Sequence, residues 1–533
     1  MNGHADLEND SVITATGRFG RVTTGQGYRR ATGGTAAQSD GAPDLSSQTM
    51  RFRLSFSIPL AMLVLAALPA IAAASWNQHA VFQDDHNLLE RGDAARERTL
   101  DELRALGVDV VKAQLTWADV APRGRHRPAG FVAADPATYP GWARYDALVR
   151  DAQARGMSVM LALSPPYPGW ATARRGDRVG VDRPSPSAFG SFAEAAGRHF
   201  PTVDIWTIGN EPNHPGFLYP QATRRRVPFA PHRYRALVRE AVAGLHRSGH
   251  AGNTILFGEL LPIGKSRYFR KNTIKPLRFI REFFCLDSNW RPFHGRAASL
   301  RGCQRYRPIT GVTGFAYHPY TRPNGPRGRE PSSDDATIRS YGRIARALDI
   351  ARSKGRIDGP RLPIWNTEFG FQSNPPDRFQ TKLSRIPAFM AESELWISLR
   401  NDRVASFSQF TMTDTPVRSS GDVFGTWQGG LRFADGRPKK DVYDGYRLPI
   451  FVRLLGPGAV EVWGAARPGG AGAVVQVQER PAGGKFSNLG APLTVENARG
   501  YFRARFEISK AAQRRYRFVY DGQGSRAAKA ATR

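Results

Sequence analysis

The chain has 533 residues, of which 41% are hydrophobic and 11% aromatic, and its formal net charge is +30. This composition excludes a chain that is disordered throughout, and the length allows a large core with more than one domain. The basic residues are scattered and mostly arginine, which we interpret as background composition. We therefore expect no nucleic-acid binding, whereas contact with an anionic cell wall or membrane surface stays open.

Two segments precede the globular part. Residues 1–49 are rich in Gly, Ser, Thr and Asp without hydrophobic periodicity, which predicts disorder. Residues 50–74 contain two arginines, an apolar run and small residues at their end, as a secretory signal peptide does. The chain is therefore predicted to be secreted or on the cell surface. The alternative is an uncleaved membrane anchor, although a span needs about 20 apolar residues.

Met50 stands where such a signal peptide should start. Translation that begins at Met50 would leave out residues 1–49, and the sequence leaves both starts open.

Between residues 75 and 447, short apolar runs rich in β-branched residues alternate with amphipathic runs. The predicted strands are 80–82, 108–115, 158–163, 203–208, 254–260, 312–317, 362–367 and 404–410. Apolar strands separated by helices indicate a parallel sheet covered on both faces, and eight such units predict a (β/α)8 TIM barrel. A doubly wound open sheet is the alternative, but no glycine-rich dinucleotide loop follows the first strand.

Cys285 and Cys303 are the chain's two cysteines and lie in a connection rich in Pro, Gly and Arg. In an exported protein they predict a disulfide, with two unrelated buried thiols as the alternative. Two cysteines without clustered histidines give no zinc-type spacing, so we expect neither a metal nor another cofactor.

After residue 447 the pattern changes to β-rich runs between Gly, Pro and Asn turns. Residues 448–522 are predicted to form a small all-β sandwich. The basic tail, residues 523–533, is expected to fray.

Two glutamates stand at the ends of predicted strands. Glu211 follows the fourth strand in TIGNEPNHP, and Glu368 ends the seventh in LPIWNTEFG. Pro212 cannot extend an interior strand, so the polar residues before it lie at the strand end. The C-terminal strand ends carry the active sites of TIM barrels, and the fourth and seventh strands face each other across the mouth. A carboxylate pair there suits glycoside hydrolysis, which needs one protonated and one ionised carboxyl group.

Asn210-Glu211-Pro212 and Thr367-Glu368-Phe369-Gly370 resemble the acid/base and nucleophile motifs of the clan A glycoside hydrolases, with families 5 and 39 as the nearest cousins. The resemblance covers roughly residues 76–447 and implies a retaining β-glycosidase acting on an oligo- or polysaccharide. It assigns Glu211 as general acid/base and Glu368 as nucleophile.

The resemblance also implies three substrate-site residues. Asn210 would bind the sugar 2-hydroxyl, and His318 would line the same subsite. Tyr320, two residues after His318, would donate a hydrogen bond to Glu368 and keep it ionised.

The chain departs from the clan at two positions. The clan often has an arginine on the second strand beside the nucleophile, where this chain has Lys112. The eighth strand often ends with a tryptophan, whereas here it reads SQFTMTD, so Trp427 or Trp117 would have to supply the aromatic floor for the sugar. Both departures leave the sugar and the linkage open.

Further carboxylates are candidates for substrate subsites: Asp84, Asp85, Glu259 and Asp414. The alternative function is a non-catalytic carbohydrate- or cell-wall-binding protein on the same fold, although the presence of both glutamates favours an enzyme. The aromatic residues of the sandwich fall in strand runs, which favours a packing role over a carbohydrate-binding module. We expect a monomer.

Overall fold

The computed structural model describes residues 76–173, 180–267, 269–400, 402–416 and 426–532, without the side chains of 397–400. The predicted disordered extension 1–49 and the predicted signal peptide 50–74 lie outside these ranges. Within them, no helix combines the length and the apolar character that a membrane span requires.

Eight parallel strands close into a barrel, which confirms the predicted (β/α)8 TIM barrel. The strands are β1 (His79–Gln83), β2 (Val110–Thr116), β3 (Ser158–Ser164), β4 (Ile205–Ile208), β5 (Thr254–Leu260), β6 (Gly314–Tyr317), β7 (Ile364–Asn366) and β8 (Val404–Phe410). Each strand pairs with its sequence neighbours, and β8 pairs with β1 to close the ring. All C-terminal strand ends therefore open at one mouth.

Helices connect the strands along the outside of the barrel. They are α1 (Asp93–Ala105), α2 (Trp117–Val120), α3 (Ala143–Gln153), α4 (Pro186–His199), α5 (Ala230–Arg247), α6 (Pro276–Phe283), α7 (Gly295–Ser299), α8 (Gly342–Ser353), α9 (Ile386–Arg400) and α10 (Lys440–Arg447). Helix α4 begins where the sequence favours it, since Ser185 accepts a hydrogen bond from the Ala188 N–H and Pro186 stands first. Helices α4 and α5 approach closely at Gly244, where a Cβ would lie 2.2 Å from the Gly190 carbonyl oxygen.

One apolar layer fills the barrel below the mouth. Every strand contributes one side chain to it: Val81, Val110, Met160, Ile205, Leu256, Ala316, Trp365 and the partly buried Ala405. Side chains two residues apart on a strand share a face, so Lys112 follows Val110 on the inward face of β2. The layer closes the barrel beneath the polar side chains of the mouth.

The predicted disulfide is confirmed. Cys285 and Cys303 are bonded, with Cα atoms 5.7 Å apart, inside the connection between α6 and β6.

A separate nine-stranded sheet region follows the barrel, as the change of pattern after residue 447 predicts. Its strands are β9 (Ile450–Gly456), β10 (Ala459–Ala465), β11 (Val474–Arg480), β12 (Ser487–Asn488), β13 (Leu493–Thr494), β14 (Tyr501–Glu507), β15 (Arg515–Tyr520), β16 (Gln523–Gly524) and β17 (Ala528–Ala531). A short strand pair, Ser373–Asn374 with Thr381–Lys382, lies in the connection after β7.

The expectation that residues 523–533 fray is wrong for the part that the structure describes. Strand β17 pairs with β9 on one side and with β15 on the other. Ala528 is buried in the core of this sheet region.

The sheet region packs on helix α9 of the barrel. The apolar part of this contact comprises Ala391, Leu395, Trp463, Ala465 and Tyr501. Beside it, Glu394 of α9 forms a buried ion pair with Arg467 and accepts a hydrogen bond of 2.7 Å from the Tyr501 hydroxyl. Trp463 and Tyr501 are thus used for packing between the two regions.

Candidate active site

Two glutamates at the mouth have unusual backbone conformations. Glu211, after β4, has φ of 39°, and Glu259, near the end of β5, has φ of 49°. The pairing of β5 with β6 shifts register between Gly258 and Leu260, as at a β-bulge. Positive φ at a non-glycine residue is strained and is concentrated at functional sites, and bulges re-aim side chains.

His318 joins the two predicted catalytic carboxylates. It follows β6 directly, and its Nδ1 lies 3.1 Å from Oε1 of Glu211 and 3.4 Å from Oε2 of Glu368. One oxygen of each carboxylate and this nitrogen all lie within 4.8 Å of one another. The structure therefore brings Glu211, His318 and Glu368 together at the mouth, as the motifs predict.

A third buried carboxylate, Glu259, lies beside this trio. Oε2 of Glu259 is 2.5 Å from Nε2 of His318 and 2.9 Å from Nζ of Lys112, while its Oε1 accepts a 2.7 Å hydrogen bond from Thr207. Lys112 Nζ also lies 3.2 Å from Oε1 of Glu368. Lys112 therefore contacts Glu368 from β2, where the clan often places an arginine.

Polar donors surround Glu368. The Tyr320 hydroxyl donates to its Oε2 at 3.3 Å, as the resemblance implies, and the Gln114 amide donates to Oε1 at 3.4 Å. Gln114 is itself held by Ser164, whose hydroxyl donates to the Gln114 side-chain oxygen. Glu368 therefore accepts hydrogen bonds from Tyr320, Gln114 and Lys112.

Burial and charge separate the protonation states of the site. Burial raises the pKa of Glu211 to about 7, opposed by the His318 contact and increased by the charge of Glu368. Burial would also raise the pKa of Glu259, but Lys112 and His318 outweigh it and hold that pKa below its usual range. Glu211 can thus hold a proton near neutral pH while Glu259 stays ionised.

The surrounding glutamates raise the pKa values of the two cations of the site, His318 and Lys112. Burial disfavours a charged His318, but Glu368, Glu259 and the hydrogen bond to Glu211 raise its pKa to about 9. Burial also opposes a charged Lys112, and the same two glutamates, Glu259 and Glu368, raise its pKa. His318 and Lys112 are therefore both positive at neutral pH.

Of the predicted substrate-site residues, Asn210 and Trp427 lie at the mouth. Asn210 Oδ1 is buried and has no hydrogen-bond partner among the described residues. The partly exposed Trp427 packs edge-on against Tyr320, with ring centroids 5.2 Å apart. Trp427 thus contacts Tyr320, which bonds Glu368, and Asn210 directly precedes Glu211.

The prediction that Trp117 could supply an aromatic surface for the sugar ring is wrong. Its side chain is completely buried and stacks on Phe192 with ring centroids 5.1 Å apart. Tyr167, Trp170 and Phe189 enclose it further. Although Trp117 directly follows β2, its ring packs against Phe189 and Phe192 of helix α4 and not at the mouth.

The other candidate carboxylates have different roles. Asp84 accepts hydrogen bonds from the backbone of Asn87 and Met412, and Asp414 forms a buried ion pair with Lys439 at 2.7 Å. Asp84 therefore connects the segments that follow β1 and β8, and Asp414 connects the segment after β8 to the start of α10. Asp85 lies nearer the carboxylate pair, because it accepts a 2.7 Å hydrogen bond from the Gln114 N–H, and burial raises its pKa to about 6.

Two groups of side chains have the spacing of metal ligands. The first comprises Glu211, His318 and Glu368. In the second, His232 lies beside two sulfurs that are already bonded to each other. The sulfurs of this second set are therefore not available to a metal.

Glu259 is the residue whose central position sequence reasoning missed. It lies inside the strand-like run TILFGEL and belongs to no recognised motif, so it reads as one of several subsite candidates. Gly258 before it is the one local signal, since glycine inside a strand often marks a bulge.

No family model and no curated protein matches the chain. Similar solved structures include a GH5_18 protein from Bifidobacterium longum subsp. infantis (14% identity, 69% of this chain, 77% of that chain, TM-score 0.43). Xylanase 10B from Thermotoga maritima has 15% identity over 69% of this chain and 95% of its own, with a TM-score of 0.42. A glycoside hydrolase family 5 protein from Bacteroides vulgatus has 11% identity over 83% and 89%, with a TM-score of 0.40. Likeness at this level gives no evidence of activity.

Proposed function

We propose that the protein is a retaining β-glycosidase that hydrolyses O-glycosidic bonds of an oligo- or polysaccharide by double displacement. The observation that carries the proposal is the approach of Glu211 and Glu368, whose nearest oxygens lie within 4.8 Å at the barrel mouth. Carboxyl groups of retaining enzymes lie about 5–5.5 Å apart, whereas inverting enzymes need about 6.5–9.5 Å to admit a water.

The surroundings of the two carboxylates support distinct roles. Glu368 faces the Lys112 ammonium, the Tyr320 hydroxyl and the Gln114 amide, which stabilise the negative charge of a nucleophile. Glu211, with its pKa raised to about 7, retains a proton that it can give to a leaving group.

In the first step, an oxygen of Glu368 bonds to the anomeric carbon while the bond to the leaving oxygen breaks, and Glu211 transfers its proton to that oxygen. In the second step, the ionised Glu211 takes a proton from water. The water oxygen bonds to the anomeric carbon, the ester to Glu368 breaks, and both carboxyl groups return to their starting states. Asn210 Oδ1 is available to accept a hydrogen bond from a sugar hydroxyl near this carbon.

Two substitutions test the assignment once a panel of aryl glycosides and β-glucans has given a substrate. Glu368→Ala should abolish turnover, and azide should restore part of it by taking the place of the nucleophile. Glu211→Ala should spare the first step with a dinitrophenyl glycoside and slow the second. Intact-mass analysis should then detect a glycosyl ester on Glu368.

The outcome separates the competing assignments. A burst in Glu368→Ala together with azide rescue of Glu211→Ala to an α-linked product would reverse the two roles. Carbohydrate binding that survives in both variants, without turnover in the wild type, would favour the non-catalytic binding protein.

We further propose that the enzyme is exported, on the basis of the signal-like residues 50–74. The Cys285–Cys303 disulfide supports an oxidising compartment. N-terminal sequencing of secreted protein should find a start near Ser75 or Trp76. Recovery only from membranes, with residues 50–74 retained, would favour the anchor.

A further inference from the structure

Two loops at the mouth carry an unusual concentration of positive charge. The loop after Glu211 (212–229) and the loop after β5 (261–275) together contain eight Lys and Arg and no Asp or Glu. Seven of them we term the basic loop surface: Arg224, Arg225, Arg226, Lys265, Arg267, Arg270 and Lys271. All are exposed except Arg270, which is partly buried. The eighth, Lys275, donates to Ser266 and lies near Asp334 and Asp335.

The basic loop surface is tied closely to the acid/base residue. The buried amide of Gln221 donates a 3.0 Å hydrogen bond to the carbonyl of Pro212, the residue after Glu211. The Gln221 N–H donates to the Arg270 carbonyl at 3.0 Å. Asn213 also bridges the loops, since its side-chain nitrogen donates to the carbonyls of Leu261 and Ile274, each at 3.0 Å. The two loops therefore form one ordered wall beside Glu211.

The cations of the basic loop surface lack a carboxylate partner among the described residues. Some other arginines of the barrel do pair with carboxylates, as Arg281 does with Asp334 and Arg432 with Glu102. No ion pair joins any member of the basic loop surface to a carboxylate in the described part of the chain. Like charges held close together repel each other and favour an anionic ligand.

Aromatic rings hold two of the guanidinium groups in place. Arg226 lies over the exposed ring of Phe269 at 5.0 Å, and Arg270 lies over Tyr219 at 5.3 Å while its Nε donates to the Tyr219 hydroxyl. Stacked guanidinium planes keep donors free at their edges, and these match the oxygens of carboxylate, sulfate or phosphate.

We propose that the substrate is an anionic polysaccharide whose carboxylate, sulfate or phosphate groups bind the basic loop surface on the Glu211 side of the cleft. This rests on the proposed function for the position of the cleaved bond, because Glu211 must face the leaving group that it protonates. The carboxylates at the centre of the site repel a negatively charged group at the cleaved bond itself. The anionic groups therefore bind on sugars farther along the polysaccharide.

The test compares carboxymethyl cellulose with hydroxyethyl cellulose, which share a backbone and differ in charge. Binding is measured by calorimetry on the full chain carrying Glu368→Ala, so that the result does not depend on turnover. Arg224→Gln/Arg225→Gln/Arg226→Gln should bind carboxymethyl cellulose roughly tenfold more weakly, because each exposed charge contributes modestly. The matched control, Arg346→Gln/Lys354→Gln/Lys485→Gln, removes three exposed charges elsewhere and should change binding less than about twofold.

Further outcomes decide the inference. Binding of the charged cellulose should weaken as NaCl rises from about 50 to 300 mM. Equal binding of both celluloses, or an equal loss in the control variant, would overturn the inference. Tighter binding of single-stranded DNA or of phosphatidylglycerol vesicles through the same three arginines would also overturn it. Loss of turnover in Glu368→Ala with charge-selective binding intact would leave both proposals standing, whereas turnover that survives there would refute only the proposed catalytic role.

Discussion

Lys112 and Glu259 form an ion pair that is completely buried in the barrel, with Nζ of Lys112 2.9 Å from Oε2 of Glu259. Each partner has a second charged contact, Lys112 with Glu368 and Glu259 with His318. The pair therefore links His318 on one side to Glu368 on the other through consecutive charged contacts. A buried pair stabilises little by itself, but breaking it leaves an uncompensated charge.

We expect Glu259→Gln to lower the free energy of unfolding by about 3 kcal/mol, near the low end for a broken buried ion pair, because Glu368 still faces Lys112. Thermal unfolding followed by circular dichroism measures the loss. Adding Lys112→Met should recover part of the stability, since the orphaned cation is then gone. Glu507→Gln, which breaks an exposed pair with Arg505, serves as control and should shift the midpoint far less. Equal shifts in the two single variants would contradict the role of burial.

The pH dependence of hydrolysis should follow the proton on Glu211. Its pKa is raised to about 7, so the acid form predominates below that pH and is lost as the pH rises through it. For an aryl glycoside with a poor leaving group, kcat/KM should fall above about pH 7. A dinitrophenyl glycoside should lack this limb, because its leaving group needs no proton. The same limb with both substrates would assign it to another group.

Trp427 and Trp117 should differ in what their substitution affects. Trp427→Ala should raise KM roughly tenfold, since it removes the partly exposed ring beside Tyr320 that a sugar could stack on. Trp117→Phe should lower the unfolding temperature with KM unchanged, because Trp117 is enclosed by aromatic rings away from the mouth. Steady-state kinetics and thermal unfolding of both variants check this, and a KM effect confined to Trp117→Phe would contradict it.

Reduction of the Cys285–Cys303 disulfide should destabilise the native protein. The bond closes a connection of 18 residues, for which chain entropy predicts about 3 kcal/mol. Unfolding measured with and without dithiothreitol should show the loss, whereas Cys285→Ala/Cys303→Ala should be insensitive to the reductant. An unchanged wild-type midpoint after complete reduction would contradict the prediction.

The carboxylate pair was predictable because both glutamates stand in short motifs at strand ends, where Pro212 and the TEFG turn mark the end of each strand. Glu259 was not, since its role depends on a bulge that turns a strand residue into the cluster and on contacts from β2 and β6. Trp117 shows the opposite error, because position after a strand does not fix which way an aromatic ring packs. For β17, alanine-rich composition suggested fraying, and only its pairing with β9 and β15 shows otherwise.

The contact of Glu394 with Arg467 and Tyr501 means that the composition boundary near residue 447 is not a boundary for folding. A fragment ending there would expose the apolar side of α9 and leave Glu394 without its two partners. The C-terminal sheet is therefore held against the barrel and is not a mobile domain on a flexible linker. We expect it to unfold together with the barrel, and a protein truncated at this junction should aggregate.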